Sequence, residues 1–203
     1  MMDEILSIKV RNTLFKVPAI YLPGWPPADF VGKVNDYPYL AFDFWMPSGR
    51  PEPVKVWSIL VLPDLVRQGG KFEPGEFPVS IQRARFIPAD DPDIMTPDQQ
   101  FKNLAAVDSG PGDVFEEKYD LQEFVLDKDR LNLRHLRNIP GNQPQVLLRC
   151  GDKDRPQIAQ LCDGFVYFND DQLSFYISFH LPQMPHWRQS VLKARDLFLG
   201  WRQ

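Results

Sequence analysis

What the chain lacks narrows its function first. No stretch approaches the roughly 18 consecutive apolar residues of a membrane-spanning helix. The longest apolar run, Trp57 to Leu62, is interrupted by Ser58 and stopped by Pro63. Cations are sparse and scattered singly, 23 Lys and Arg against 27 Asp and Glu, for a net charge of −4. Binding to nucleic acid draws its affinity from counterion release and needs several cations on one surface, so that class is excluded. Catalytic signatures are also missing. There is no Gly-x-Ser-x-Gly nucleophile turn, and Ser109 sits in an ordinary Asp-Ser-Gly turn. No glycine-rich phosphate loop occurs, and Gly69-Gly70 reads as a loop pair.

Histidine is scarce. His135 lies in a polar stretch and reads as a surface residue, while His180 and His186 flank the approach to the last helix without a metal-binding motif. Carboxylates gather at Asp90-Asp91-Pro92-Asp93 and at Glu116-Glu117. A calcium loop needs alternating ligands closed by a bidentate Glu, and that pattern is absent. Solvated loops are therefore expected, with Asp90, Asp91 and Asp93 kept as candidates for contact with a partner or an adventitious cation. No cofactor, no metal and no enzymatic activity is expected.

What the chain does have is proline, aromatics and enough length for a core. Area scaling puts about 70% of the unfolded surface of a 203-residue chain out of water. Aromatics make up 13%, including 15 Phe and 5 Trp, which favours a sheet-built core. The 20 prolines punctuate the chain instead of gathering into a linker.

Strand-like runs lie between these prolines. Ile5 to Val10 and Thr13 to Ile20 flank Arg11-Asn12 as a hairpin, with Pro18 marking an edge position. Tyr21 to Asn35 reads as a loop followed by one turn of helix from Ala28 to Val34. Tyr39 to Met46 is a strand that turns at Pro47–Pro51, and Val54 to Leu62 returns from it. Val79 to Ile87 alternates as a further strand. Thr96-Pro97-Asp98-Gln99 has the order of a helix start, with a hydroxyl cap, Pro at the first position and an acid in the first turn. The helix is expected to end near Leu104. Phe115 to Leu126 reads as a strand or hairpin arm, and Asp127 to Asn142 is polar and ambiguous.

Near the C-terminus, Gln145–Cys150, Cys162–Phe168 and Leu173–His180 read as three strands. Trp187, Val191, Ala194, Phe198 and Trp201 then recur on one face of a helix that must cover a sheet. The fold class expected is α+β: a mostly antiparallel sheet, a C-terminal amphipathic helix packed on it and one short internal helix. A single domain over 1–203 is the economical reading, with two lobes divided near 105–142 as the alternative.

Cys150 and Cys162 are the only cysteines, and each closes a strand at the mouth of the same loop. Antiparallel pairing would bring their Cα atoms into the ~4.4–6.8 Å range that a disulfide needs. A disulfide is expected, with reduced structural thiols and a zinc site as the alternatives. The bridge would indicate an oxidising compartment. Trp25, in a loop of prolines, is a candidate contact residue because loop aromatics often anchor interfaces. Phe44 and Trp45 read as core.

Four segments together resemble a known family: Phe42 to Arg50, Pro144 to Cys150, Cys162 to Phe168, and the Trp-bearing last helix. They are similar to the periplasmic immunity proteins paired with phospholipase effectors of type VI secretion, over most of the chain from Ile5 to Trp201. The resemblance implies a protein that binds a cognate phospholipase-like toxin and blocks it. It also implies export, often as a lipoprotein. The chain opens directly on a strand-like run, so the expectation is a mature periplasmic form whose precursor carries the leader or lipid anchor, with a cytoplasmic protein as the alternative. Two other readings stand beside it. One is another periplasmic binding or inhibitor module, such as a lysozyme-type inhibitor or an envelope assembly factor. The other is a small hydrolase assembled from scattered Asp, Glu and His.

Overall fold

The computed structural model describes residues 4–23, 31–51, 75–87, 91, 96–107, 114–124, 134–138, 141, 143–151 and 161–203. Eleven strands and two α-helices are found among them, an α+β architecture in which the sheets are mainly antiparallel. Two compact units emerge. One joins Met1–Arg85 with His186–Gln203, and the other runs over Phe86–Pro185.

The first unit begins with the expected hairpin. Strands β1 (Ile5–Val10) and β2 (Thr13–Pro18) pair antiparallel from Ile5 opposite Pro18 to Val10 opposite Thr13. The tight turn places Arg11 at φ 53°, the positive φ that a two-residue connection demands. Leu6, Ile8 and Val10 alternate into the core with Phe15 and Val17. β3 (Val34–Tyr37) adds in parallel on the other side of β1, giving the order β2-β1-β3. This corrects the expected helical turn. Val31 to Lys33 form a turn and bend, and Val34 starts a strand; Ala28 to Phe30 lie outside the described residues. β2 is an edge strand, as Pro18 foretold, and its outer edge is closed by the end of the chain. Lys16 N–H donates to the Trp201 carbonyl at 2.8 Å and Gln203 N–H to that of Leu14 at 3.0 Å.

β4 (Leu40–Met46) pairs antiparallel with β5 (Phe77–Phe86). The expected return over Val54 to Leu62 lies outside the described residues. The turn after β4 is held by one carboxylate. Glu76 accepts from Ser48 Oγ at 2.8 Å and from Arg50 Nε at 2.9 and 3.0 Å, and Arg50 Nη2 also donates to it. The Arg50 guanidinium lies 5.5 Å from the centre of the Trp45 ring. Gly49 adopts φ +74°, where an L side chain is strained, and a Cβ there would lie 1.9 Å from Lys193 Cε, so the lysine would have to move aside.

Lys193 belongs to the last helix, α2 (Trp187–Gly200), which follows a 3-10 stretch at Leu181–His186. Its stripe buries as its spacing requires: Trp187, Val191, Ala194 and Phe198 are at most 1% exposed and Trp201 is 9% exposed. Phe198 meets Phe15 at 4.6 Å between ring centres, and Trp201 meets Phe42 edge-on at 5.0 Å. Burying each such side chain contributes roughly 2 kcal/mol, so this face fixes the helix on β2 and β4.

The second unit is built on six antiparallel strands in the order β11-β10-β9-β8-β7-β6. They are β6 (Val114–Lys118), β7 (Leu121–Phe124), β8 (Arg134–Asn138), β9 (Gln145–Cys150), β10 (Leu161–Phe168) and β11 (Leu173–His180). The ambiguous 127–142 stretch thus contributes a strand at its described part. The β6–β7 connection is a two-residue turn at Tyr119-Asp120, with φ 57° and 62°. Both values are positive, as a primed hairpin turn requires.

Asn138 ties the start of β9 to β8, donating to the Pro144 carbonyl at 2.6 Å and accepting from Val146 N–H at 2.8 Å. α1 (Pro97–Val107) starts on Thr96 as its sequence requires, with Thr96 Oγ1 accepting from Gln99 N–H at 3.3 Å. It runs three residues beyond Leu104 and docks on the sheet through Phe101, whose ring centre lies 3.9 Å from the Arg137 guanidinium.

Gly164 marks the tightest strand approach. A Cβ there would sit 2.0 Å from the Leu147 carbonyl oxygen and 2.7 Å from Leu148 Cα, both backbone atoms. Gly164→Ala is therefore expected to lower stability by about 1–3 kcal/mol through overpacking, read as a lower denaturant midpoint with an unchanged slope.

Candidate interaction surface

The register of β9 and β10 decides which side chains the sheet presents. Cys150 stands opposite Cys162, and the next pair along is Arg149 opposite Asp163. Successive residues point to opposite faces of a strand, so these two pairs project to opposite sides. The cysteines fall on the face that carries Leu148, Val166, Phe175, Ile177 and Phe179, all at most 1% exposed. They are joined by a disulfide across the pair, with Cα atoms 4.1 Å apart and a sequence separation of 12. Closing a loop of this length stabilises the fold by about 3 kcal/mol in the chain-entropy model.

The opposite face carries a polar and aromatic cluster. Arg149 grips Asp163 with two bonds, Nε to Oδ1 and Nη2 to Oδ2, each 3.2 Å. Tyr176, on β11, stands opposite Phe165 on this same face, and its hydroxyl feels the charges of both Asp163 and Arg149. Phe165 packs edge-on against the Tyr176 ring at 4.9 Å. Arg149 keeps 51% of its side chain in solvent and Asp163 22%. The bond to Asp163 raises the Arg149 pKa against the opposing effect of burial. Burial first, and then the neighbouring Asp163 carboxylate, push the Tyr176 hydroxyl up to about 12. Tyr21 and Tyr167 are also raised, both by burial. The cluster holds no nucleophile beside a base. It can offer an anchored guanidinium, a protonated phenol and an aromatic edge, the side-chain types that concentrate binding energy at protein interfaces.

Of the residues singled out from the sequence, Cys150 and Cys162 are brought together as the disulfide. Trp25, Asp90 and Asp93 lie outside the described residues, and Asp91 is half-buried. His135 on β8 and His180 on β11 are three strands apart, roughly 14 Å at the usual spacing of ~4.8 Å. His186 is exposed, with its ring 5.7 Å from that of Phe77. Among the described residues, no three His, Cys, Asp or Glu side chains are grouped so as to hold a metal ion, and no helix is long and apolar enough to cross a membrane. Arg149, Asp163 and Tyr176 were missed. A signal for the first two was present, because each is the immediate neighbour of a cysteine, and antiparallel pairing of the cysteines forces Arg149 opposite Asp163.

Comparison with known proteins gives a likeness of fold. No family model matches the chain. No curated protein matches it either. Its structure is similar to that of Smlt3025, an immunity protein of the Stenotrophomonas maltophilia type IV secretion system. The TM-score is 0.59 at 11% sequence identity, over 99% of this chain and 94% of that one. A second similarity, to the Neisseria meningitidis iron-regulated outer membrane lipoprotein FrpD, has a TM-score of 0.49 at 8% identity, over 98% and 93% of the two chains.

Two outcomes follow from this geometry. Reduction, or replacement of Cys150 and Cys162 by alanine, is expected to cost about 2–4 kcal/mol of stability, measured by chemical denaturation with and without reductant. In an alkaline titration followed by phenolate absorbance, Tyr176 is expected to ionise near 12, and Tyr176→Phe should delete that step. Its folded pKa lies above the ordinary value of 10, so its contribution to stability is complete below pH 10 and is lost as pH rises towards 12.

Proposed function

We propose that this chain is an immunity protein that binds and neutralises a cognate secreted effector in the periplasm, without catalysis of its own. The observation that carries the reading is the buried Cys150–Cys162 bridge in a fold like that of a secretion-system immunity protein. Stable disulfides persist in oxidising compartments and are rare in the cytosol. An effector that attacks the cell envelope would be met there. The likeness in structure is to a protein of type IV secretion, whereas the sequence segments resemble immunity proteins of type VI phospholipase effectors. A secreted toxin is common to both, and the phospholipase-like effector is the partner we put forward.

Neutralisation requires occlusion of the toxin, so the interface should cover about 800 Å² on each partner. The test is a search for a lipase-like effector gene beside that of this chain, followed by co-expression of the two in the periplasm of a sensitive host. Restored growth and a stable one-to-one complex on size-exclusion chromatography are expected. Undiminished killing with no complex would overturn the proposal.

A further inference from the structure

The face of the second unit that carries Arg149 is covered in one part and open in another. α1 packs on β9 and β10, with its Phe101 ring against Arg137. Arg137 stands opposite Leu147, two residues from Arg149 and on the same side of the sheet. There Leu147 and Tyr167 are buried. Beside the disulfide the same face opens. Arg149 is exposed, and Asp163, Phe165 and Tyr176 are half-buried around it. Phe165 stands opposite Tyr176, so the aromatic pair and the ion pair adjoin.

The hydrogen-bonding capacity that remains in this cluster is one-sided. Asp163 accepts through both oxygens, from Nε and Nη2 of Arg149. A guanidinium has five N–H donors, so the fork between Nη1 and Nη2 is left to offer. The Tyr176 hydroxyl, protonated at neutral pH, is a further donor. On the other flank of Arg149 stands His135, not a second carboxylate. An incoming cation would meet Arg149 and have to compete with it for Asp163, whereas an anion meets donors already in place. Asp163 also orders the long arginine side chain in the free protein, so less of its freedom is lost on binding. An exposed ion pair adds little to stability, but a pre-ordered guanidinium is an efficient anchor.

We propose that Arg149, Phe165 and Tyr176 form the docking site for an acidic segment of the effector. An Asp or Glu carboxylate of that segment would enter the open fork of Arg149, beside the Tyr176 hydroxyl, and an apolar neighbour would pack on Phe165. The planar fork matches one carboxylate in two parallel bonds. A phosphate-bearing surface is a poorer match, because it draws its affinity from several cations together and this cluster has a single guanidinium.

This inference rests on the proposed effector binding, and the experiment separates the two. The probe is a lipase-like effector from a neighbouring gene, purified with its nucleophile replaced and titrated by calorimetry into the full chain. Wild type, R149A and Y176F are compared with L192R, which alters an exposed apolar residue on α2. R149A is expected to weaken binding about tenfold or more and Y176F about fivefold, with L192R changing it less than about twofold. R149E should abolish binding, and reversal of one Asp or Glu of the effector to lysine should restore it. Tight wild-type binding that R149A and Y176F both retain within about twofold overturns the docking site and leaves the immunity reading standing. Binding lost in R149E that no acidic reversal restores overturns the carboxylate as the occupant. The lack of such an effector, or of wild-type binding, overturns both readings. Thermal melts check that R149A is folded; if it is not, Y176F, which removes a single oxygen, decides alone.

Discussion

The pairing of β9 with β10 is the constraint from which the second unit takes its character. A one-residue slip would exchange its faces, driving Arg149 and Asp163 into the core and the cysteines out of it. Three features oppose that slip. The disulfide locks Cys150 to Cys162, Gly164 provides the only clearance that the Leu147 carbonyl tolerates, and the Arg149–Asp163 bonds secure the same register from the other face. A covalent bond within the core thus positions a charged pair at the surface.

In the first unit the corresponding part is played by packing. α2 places its aromatic stripe against Phe15 and Phe42, and its Lys193 fills the space that Gly49 leaves open. Gly49 lies in the turn braced by Arg50 and Glu76, and its carbonyl accepts from the Tyr21 hydroxyl at 3.0 Å. Residues distant in sequence are drawn to one turn. The segment Phe42–Arg50 carried part of the resemblance to immunity proteins. Its conformation comes from the buried Glu76 carboxylate and the missing Cβ of Gly49, which are architectural demands.

Where local pattern matched tertiary context, the sequence was legible. The β1–β2 hairpin, the capped start of α1, the three strands from Gln145 to His180 and the α2 stripe all follow from period and turn chemistry. The misses have physical causes. Tyr119 and Asp120 make a primed turn without the Asn-Gly or Asp-Gly that advertises one. β3 is only four residues long and is a strand because β1 offers it an edge, so nothing local announces it. α1 passes Leu104 because Ala105 and Ala106, strong helix formers, follow. The surface cluster was half legible. Arg149 and Asp163 could be inferred from the cysteines beside them, whereas Tyr176 required knowledge that β11 lies next to β10.

The closure of β2 by Trp201–Gln203 has a practical side. Those last residues act as a short sealing strip, pairing their backbone with Leu14 and Lys16 while the Trp201 indole sits against Phe42 and Tyr21. Anything joined directly behind Gln203 would pull on this strip, and peeling it away would bare the backbone groups of β2 at Leu14 and Lys16. Recombinant material with its handle at the other end, or behind a long flexible spacer, would keep the strip seated and the preparation monodisperse.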